Sequence, residues 1–348
     1  MSDETMNTTA DADVVALINE VLGDHWDRTE RTAGGLDADL WATLTETGLH
    51  LLTGSEAHGG AEAGWAEAAV LASRTAHHAA RVPVVEHDLL AGWLVEHLGI
   101  EPDDAGLRTV AVLDADGRAE GVAWAPVADS IVLVWPEGDD WLAAVVPAGS
   151  VEIAETDHLA ARPTGTVTAA NRADLNGRPV SADLVAELRA RASLARTLQI
   201  CGAMERVIEL ATEHVTTRVQ FGRALSKFQA VQFAVVAMAN EAALARVAAD
   251  TALHTALRDG FAADTTAFAV AAARSVAGHA VSVVVRNGHQ VHGAIGTTDE
   301  HSLHLFTRAM LAWRSEWGTT ADADRFLTER AVAAGSSGAW RMVLNSAG

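Results

Sequence analysis

Arg218, Arg223 and Lys227 place three basic side chains within ten residues, with no acidic one among them, in a chain of 348 residues with a formal charge of −21. Lys227 is the only lysine, and it lies inside that run. Arginine presents a planar fork of donors that matches phosphate oxygens. Phe221 offers a flat face for an aromatic ring, and Gln229 an amide that can both donate and accept. Further on, Gly293 and Gly296 permit close backbone approach to a ligand or to another chain. These groups together suit a pyrophosphate beside a stacked heterocycle. The plain alternative is a solvated turn between two helices, with the glycines serving only as helix breaks.

Other reactive types are sparse. The chain has no tyrosine and a single cysteine, Cys201, so phenol chemistry, internal disulfides and thiolate metal clusters are excluded. Cys201 falls on an apolar helical stripe and reads as core. His289, His292, His301 and His304 form two HxxH pairs that could suggest a metal. The glycines between them disfavour that reading, so no metal is expected. His77 and His78 are adjacent and point to different sides. All these histidines read as helix-surface or interface residues. The acidic balance argues against nucleic acid as a partner.

The elements that would position these groups are mainly helical. Apolar spacing predicts helices over Val14–Leu22, Leu36–Leu52, Trp65–Ala80 and, beyond Pro83, His87–Leu98. Residues 101–178 change to short β-branched and aromatic runs at Leu107–Leu113, Gly121–Trp124, Ser130–Trp135 and Trp141–Val146, parted by turn residues. They predict a β module of about four to six strands. From Asp183 the chain returns to long helices, with apolar stripes over Leu194–Val215 and Val231–Leu253. Thr266–Arg286 is apolar nearly all round, so it is expected at the centre of its bundle or between subunits. Leu303–Trp313 and a stretch after Ala321 complete a four-helix bundle. The domains expected are 1–100 helical, 101–178 reduced β and 179–348 helical bundle. The fold class is mainly α with an inserted small β module.

Neither a GxGxxG after a strand nor a GxxxxGK[ST] is present, which disfavours a nicotinamide Rossmann enzyme and a P-loop ATPase. No run of about 18 uninterrupted apolar residues occurs, and residues 1–12 lack the pattern of a signal peptide. The expectation is a cytoplasmic protein with no membrane partner.

Arg218-Val219-Gln220-Phe221-Gly222, continuing to Gln229, resembles the RxxFGxxxxxxQ signature of acyl-CoA dehydrogenases. Gln290-Val291-His292-Gly293-Ala294-Ile295-Gly296, followed by Glu300 and Arg308, resembles the family's Q-x-x-G-G-x-G signature with its later E and R. Leu40-Trp41, Glu46-Thr47-Gly48-Leu49 and Glu56-Ala57-His58-Gly59-Gly60 are similar to its N-terminal segment. The resemblance implies FAD as cofactor, with Arg218, Phe221, Gly222, Gln229, Gln290, Gly293 and Gly296 holding its ADP part. It implies an acyl-CoA substrate, α,β-dehydrogenation, and an acceptor of the electron-transfer-flavoprotein type.

Two family features are missing. The T-E-P-x-x-G-S-D and W-I-T-N motifs, which hold the flavin ring and the thioester, do not occur between residues 101 and 178. The family's catalytic glutamate position, in a Y-E-G-T-like run, holds Trp317 before Gly318-Thr319, and Glu316 stands one residue early. One residue on a helix is a rotation of about 100°. The alternative base position, on the helix before Arg218, holds Ala192 and Ser193. Glu316 is thus the one candidate base, with a solvent-facing glutamate as the alternative. Keeping the ADP signatures without the flavin-ring motifs resembles the smaller subunit of heteromeric α2β2 actinobacterial acyl-CoA dehydrogenases of sterol breakdown. Such a subunit completes a partner's FAD site, with steroid-CoA as the favoured substrate. The alternatives are a self-sufficient homotetramer using Glu316, and a non-catalytic helical scaffold.

Overall fold

A computed structural model describes residues 9–28, 34–100 and 106–346. The chain folds as two compact units. One contains Thr9–Leu71 and Ala80–Ala192, and so groups the first helices with the β strands. The other contains Ala72–Ala79 and the chain from Ser193 onward.

In the first unit, α1 spans Ala12–Arg28, α2 Ala38–Glu46 and α3 begins at Trp65, running to His77. Asp37 caps α2 by accepting the Leu40 N–H at 3.1 Å, the usual stabilisation of an orphan first-turn donor. The helix expected from His87 instead begins as a π-helix over Val85–Gly92 and continues as α4, Trp93–His97. The wider π turn buries Glu86, His87 and Asp88 together. Burial pushes Asp88 up to about 7, against the lowering pull of hydrogen bonds from Thr53 and Leu52.

Among the described residues the β module has seven strands, more than the sequence predicts: β1 Arg108–Val112, β2 Arg118–Ala123, β3 Ser130–Glu137, β4 Asp140–Pro147, β5 Glu152–Glu155, β6 Thr164–Thr168 and β7 Arg178–Val180. They form two sheets, ordered β1-β3-β4-β7 and β2-β6-β5. Within them β1 and β3 pair in parallel, and the other pairs are antiparallel. Ala111, Leu113, Ile131, Leu133, Trp135, Val146 and Val167 make one core cluster. The last three strands escape the sequence because they are short and polar; β5, for example, is largely exposed.

The second unit is a helical bundle. α5 runs Ala182–Thr217, and the tight hairpin β8 Val219–Gln220 and β9 Arg223–Ala224 links it to α6, Gln229–Asp259. α7 spans Asp264–His292, α8 Leu303–Trp313 and α9 Thr320–Ser346. α7 packs along α6 and α9. Its expected central place follows from small residues that let neighbours in: a Cβ at Gly288 would meet Val207 of α5 at 3.0 Å, and one at Gly278 would overlap Thr320 of α9.

By length and composition, α6 and α7 are each apolar enough to cross a membrane. That apolarity has different uses in the two helices. α7 buries Ala269, Val270, Ala273, Ala277, Val281 and Val284. On α6, Phe233, Val236, Leu244 and Val247 are exposed at helical spacing, and the most apolar stretch of the helix is only 17% buried. Uncovered apolar surface therefore lies on α6, while the Thr266–Arg286 helix takes the central one of the two places the sequence allows it.

Candidate functional site

Arg218 follows the last turn of α5, and the chain then reverses in the two-residue hairpin Phe221-Gly222. Both residues have positive φ, 53° and 80°, the signature of a type I′ turn. Glycine takes this conformation freely, whereas a phenylalanine does so at a cost of about 1 kcal/mol. The turn holds Phe221 out from the surface at 86% exposure. The Arg223 guanidinium lies 4.1 Å from the Phe228 ring centroid, a cation–π contact that braces the hairpin.

Beside this hairpin is a cleft of about 860 Å³. It is lined from α5 and the hairpin by His214, Thr217, Arg218 and Gln220, and from the first turns of α6 by Ala230, Val231 and Ala234. The end of α7 and the turn after it add Gln290, His292, Gly293 and Ile295, and His301 closes the wall. Among the described residues no aspartate or glutamate lines it, although the chain carries a net charge of −21. Arg218 has no acidic partner among the described residues. The N-terminus of α6, a 31-residue helix, adds its positive dipole end to the same cleft. The arrangement is an anion receptor with apolar walls.

The structure brings together Arg218, Gln290 and Gly293. Gly293 has φ 65° and ψ −142°, a conformation essentially reserved for glycine, and open space where a Cβ would be. Of the other residues singled out in the sequence, Phe221 and Gly222 form the hairpin tip, and Gln229 is exposed at the start of α6. None of these three lines the cleft. Gly296 is buried, and a Cβ there would meet His292 at 2.7 Å. Its small size serves packing within the chain rather than approach to a ligand.

The histidines need correction. His292 is buried between two others: its ring centroid lies 4.8 Å from that of His214, tilted to it, and 4.6 Å from that of His301, edge-on to it. His77 is also buried, with Nε2 3.0 Å from Glu209 Oε1. Neither is a surface residue. His214 does not stand out in the sequence; it stands in the last turn of α5, and its carbonyl accepts the Arg218 N–H at 2.9 Å. Among the described residues, no group of three or more His, Cys, Asp or Glu side chains is placed to hold a metal ion. Cys201 is buried, and desolvation pushes its thiol up to about 12.

Glu316 lies elsewhere in the bundle. Its Oε2 accepts from Arg196 Nε at 2.7 Å, and Arg196 also donates to Gln199 Oε1 at 2.7 Å. Arg274 donates through one nitrogen to the carbonyls of Trp313, Glu316 and Gly318. Burial lowers Arg274 to about 10, and the Glu316 charge opposes that shift. The carboxylate is thus paired with the buried Arg196 guanidinium, while Arg274 holds the backbone carbonyl of the same residue, and it is not turned out to solvent. Trp317 follows in a strained backbone with φ 56°.

Residues 181–331 match the family model for the acyl-CoA dehydrogenase C-terminal domain. The chain is 29% identical over 282 residues to acyl-CoA dehydrogenase IpdE2 of Mycobacterium tuberculosis strain ATCC 25618/H37Rv, covering 78% of this chain and 80% of that protein. Among solved structures it is similar to the ChsE4-ChsE5 complex from Mycobacterium tuberculosis, with TM-score 0.80 and 21% identity over 95% of this chain and 100% of that one. It is also similar to the Tcur3481-Tcur3483 steroid ACAD, G363A variant, with TM-score 0.76 and 21% identity over 91% and 96% of the two chains.

Proposed function

From a chain with the acyl-CoA dehydrogenase fold, whose residues 181–331 match that family's C-terminal domain, we propose a subunit of an FAD-dependent acyl-CoA dehydrogenase that holds the ADP part of a partner's FAD. The observation that carries this reading is the acid-free cleft built from Arg218, Gln290 and Gly293. Its donors fit a diphosphate, and its walls of Val231, Val291 and Ile295 fit a nucleoside. Bound FAD supplies the hydride acceptor of the dehydrogenation. In this subunit Arg218 pairs with the diphosphate, Gln290 offers an amide, and Gly293 lets the backbone approach.

Removing an α-proton needs a carboxylate free to take it. Glu316 is committed to the buried Arg196, so in this reading the base belongs to the partner. The exposed ridge Phe233, Val236, Leu244 and Val247 on α6 suits a protein–protein contact. One similar structure is a two-protein complex and another is named a steroid ACAD, which supports an α2β2 assembly acting on a steroid-CoA. Electrons would then pass to an acceptor of the electron-transfer-flavoprotein type.

Flavin absorption of the chain made alone, and made with a dehydrogenase encoded beside it, tests this. Colour only with the partner is the expected result. Colour in the chain alone points to a self-sufficient enzyme, and no colour in either case overturns the cofactor reading.

A further inference from the structure

We propose that His214 is a second, proton-dependent anion ligand of the cleft, taking up a proton when a diphosphate binds beside Arg218. The proposal rests on the reading of the cleft as a diphosphate-nucleoside site and adds a residue that no signature contains.

Three imidazoles meet at the cleft wall, and their hydrogen bonds give them different roles. His301 receives the Leu303 N–H on Nδ1 at 3.1 Å, so that nitrogen must keep its lone pair. Protonating it would break the bond. His292 bonds through Nδ1 to the Gly288 carbonyl at 2.7 Å. A carbonyl only accepts, so Nδ1 carries the hydrogen. His292 is also buried, which disfavours a charge on it. His214 is half-exposed and lines the cleft, with no ring hydrogen bond to the described residues. It is the member able to gain a proton and turn it toward a ligand.

Its surroundings leave it neutral when the cleft holds no anion. Desolvation, then His292, then Arg218 lower its pKa. His289 sits behind, bonded to Thr307 Oγ1 at 3.1 Å, and its field falls on His292. Among the described residues no carboxylate lines the cleft to offset these effects. A diphosphate would supply the missing negative charge. It would oppose the Arg218 repulsion and raise the pKa of His214. The last turn of α5, where His214 stands, also favours a cation through the helix dipole. By linkage, whatever raises the pKa on binding must bind more tightly as pH falls through that range.

ADP-ribose is a suitable probe, because its diphosphate diester does not titrate near neutral pH. Calorimetry with the full chain, in two buffers of different ionisation heat, reads affinity and proton uptake together. Binding is expected to tighten roughly tenfold between about pH 8 and about pH 6, with net proton uptake. His214→Gln should lose the tightening. His214→Lys, permanently charged, should bind at about pH 8 as the native chain does at about pH 6. Circular dichroism checks that each variant is folded. Binding that is flat with pH, or a Gln variant that keeps the pH dependence, overturns the role of His214 and leaves the cleft reading standing. No binding of ADP-ribose at either pH overturns both.

Discussion

The Nε of Arg196, a side chain 1% exposed, donates to Oε2 of Glu316 at 2.7 Å across 120 residues of sequence. Removing one partner of a buried pair leaves the other charge uncompensated, at a cost of about 3 kcal/mol or more. Glu316→Gln should therefore lower the urea midpoint of the chain by a matching amount. The same variant, assembled with its partner, should still reduce flavin at close to the native rate with a saturated acyl-CoA. A general base contributes about 10²–10⁴-fold. A hundredfold slowing in stopped flow would make Glu316 the base and this chain the catalytic subunit.

Arg218 is exposed and without an acidic partner among the described residues, so Arg218→Ala should leave thermal stability nearly unchanged. A charge-assisted phosphate contact contributes about 1.5–3 kcal/mol, so flavin affinity of the complex should fall roughly tenfold or more. Flavin occupancy after gel filtration reads this. Native occupancy in the variant would return the segment to a plain solvated turn.

That split between stability and binding shows what the sequence could and could not reveal. The long helices were legible because their stripes repeat every three or four residues; the predicted Leu303–Trp313 is α8 to the residue. Arg218, Gln290 and Gly293 stood out by type and order, and they share one cleft. The π-helix at Val85–Gly92 was not legible, since a stretch of this composition fits an ordinary helix equally well. His214 and His292 are 78 positions apart (292 − 214), and nothing local links them before α5 and α7 pack. The same holds for Arg196 and Glu316. Long-range pairing of polar groups is a property of the packed bundle.

Phe221 holds a left-handed conformation that glycine would adopt without cost. Phe221→Gly should stabilise the isolated chain by up to about 1 kcal/mol, because little packs on an 86% exposed ring. If the ring meets the partner, the same change should weaken the complex. Denaturation of the chain alone, set beside sedimentation of the complex, distinguishes the two effects. A variant that destabilises the lone chain would show that the ring has a role within it.

Leu244 lies on the exposed α6 ridge. Leu244→Glu should change the stability of the lone chain by less than about 0.5 kcal/mol, as surface substitutions do. On the proposed reading, light scattering should nonetheless show a dimer or tetramer shifting toward smaller species in the variant. Native mass in the variant would move the interface off this helix.

Asp88 is buried, with its folded pKa raised to about 7 from the usual 3.8. Between those values the folded state holds a proton that the unfolded state has lost. Stability from this group is therefore full below about pH 4 and declines as pH rises toward about 7. Asp88→Asn keeps an acceptor for the Thr53 N–H, now received at 3.0 Å, and should remove that decline. Urea titrations at about pH 5 and about pH 8 should show the variant gaining on the native chain at the higher pH; equal differences at both would sink the assignment.

The link between α6 and α7 is four residues, Gly260 to Ala263, joining helices of 31 and 29 residues. So short a closure costs little chain entropy, and its contacts are near in sequence. This hairpin is placed to form early, while β1 must still wait for β3 to run parallel beside it. The apolar ridge of α6 would then be on display from the first stage of folding. On the proposed heteromeric reading, its exposure would set a race between meeting the partner and self-association. Yield of soluble chain should thus depend on when the partner is made: simultaneous synthesis should give more complex than mixing two finished proteins.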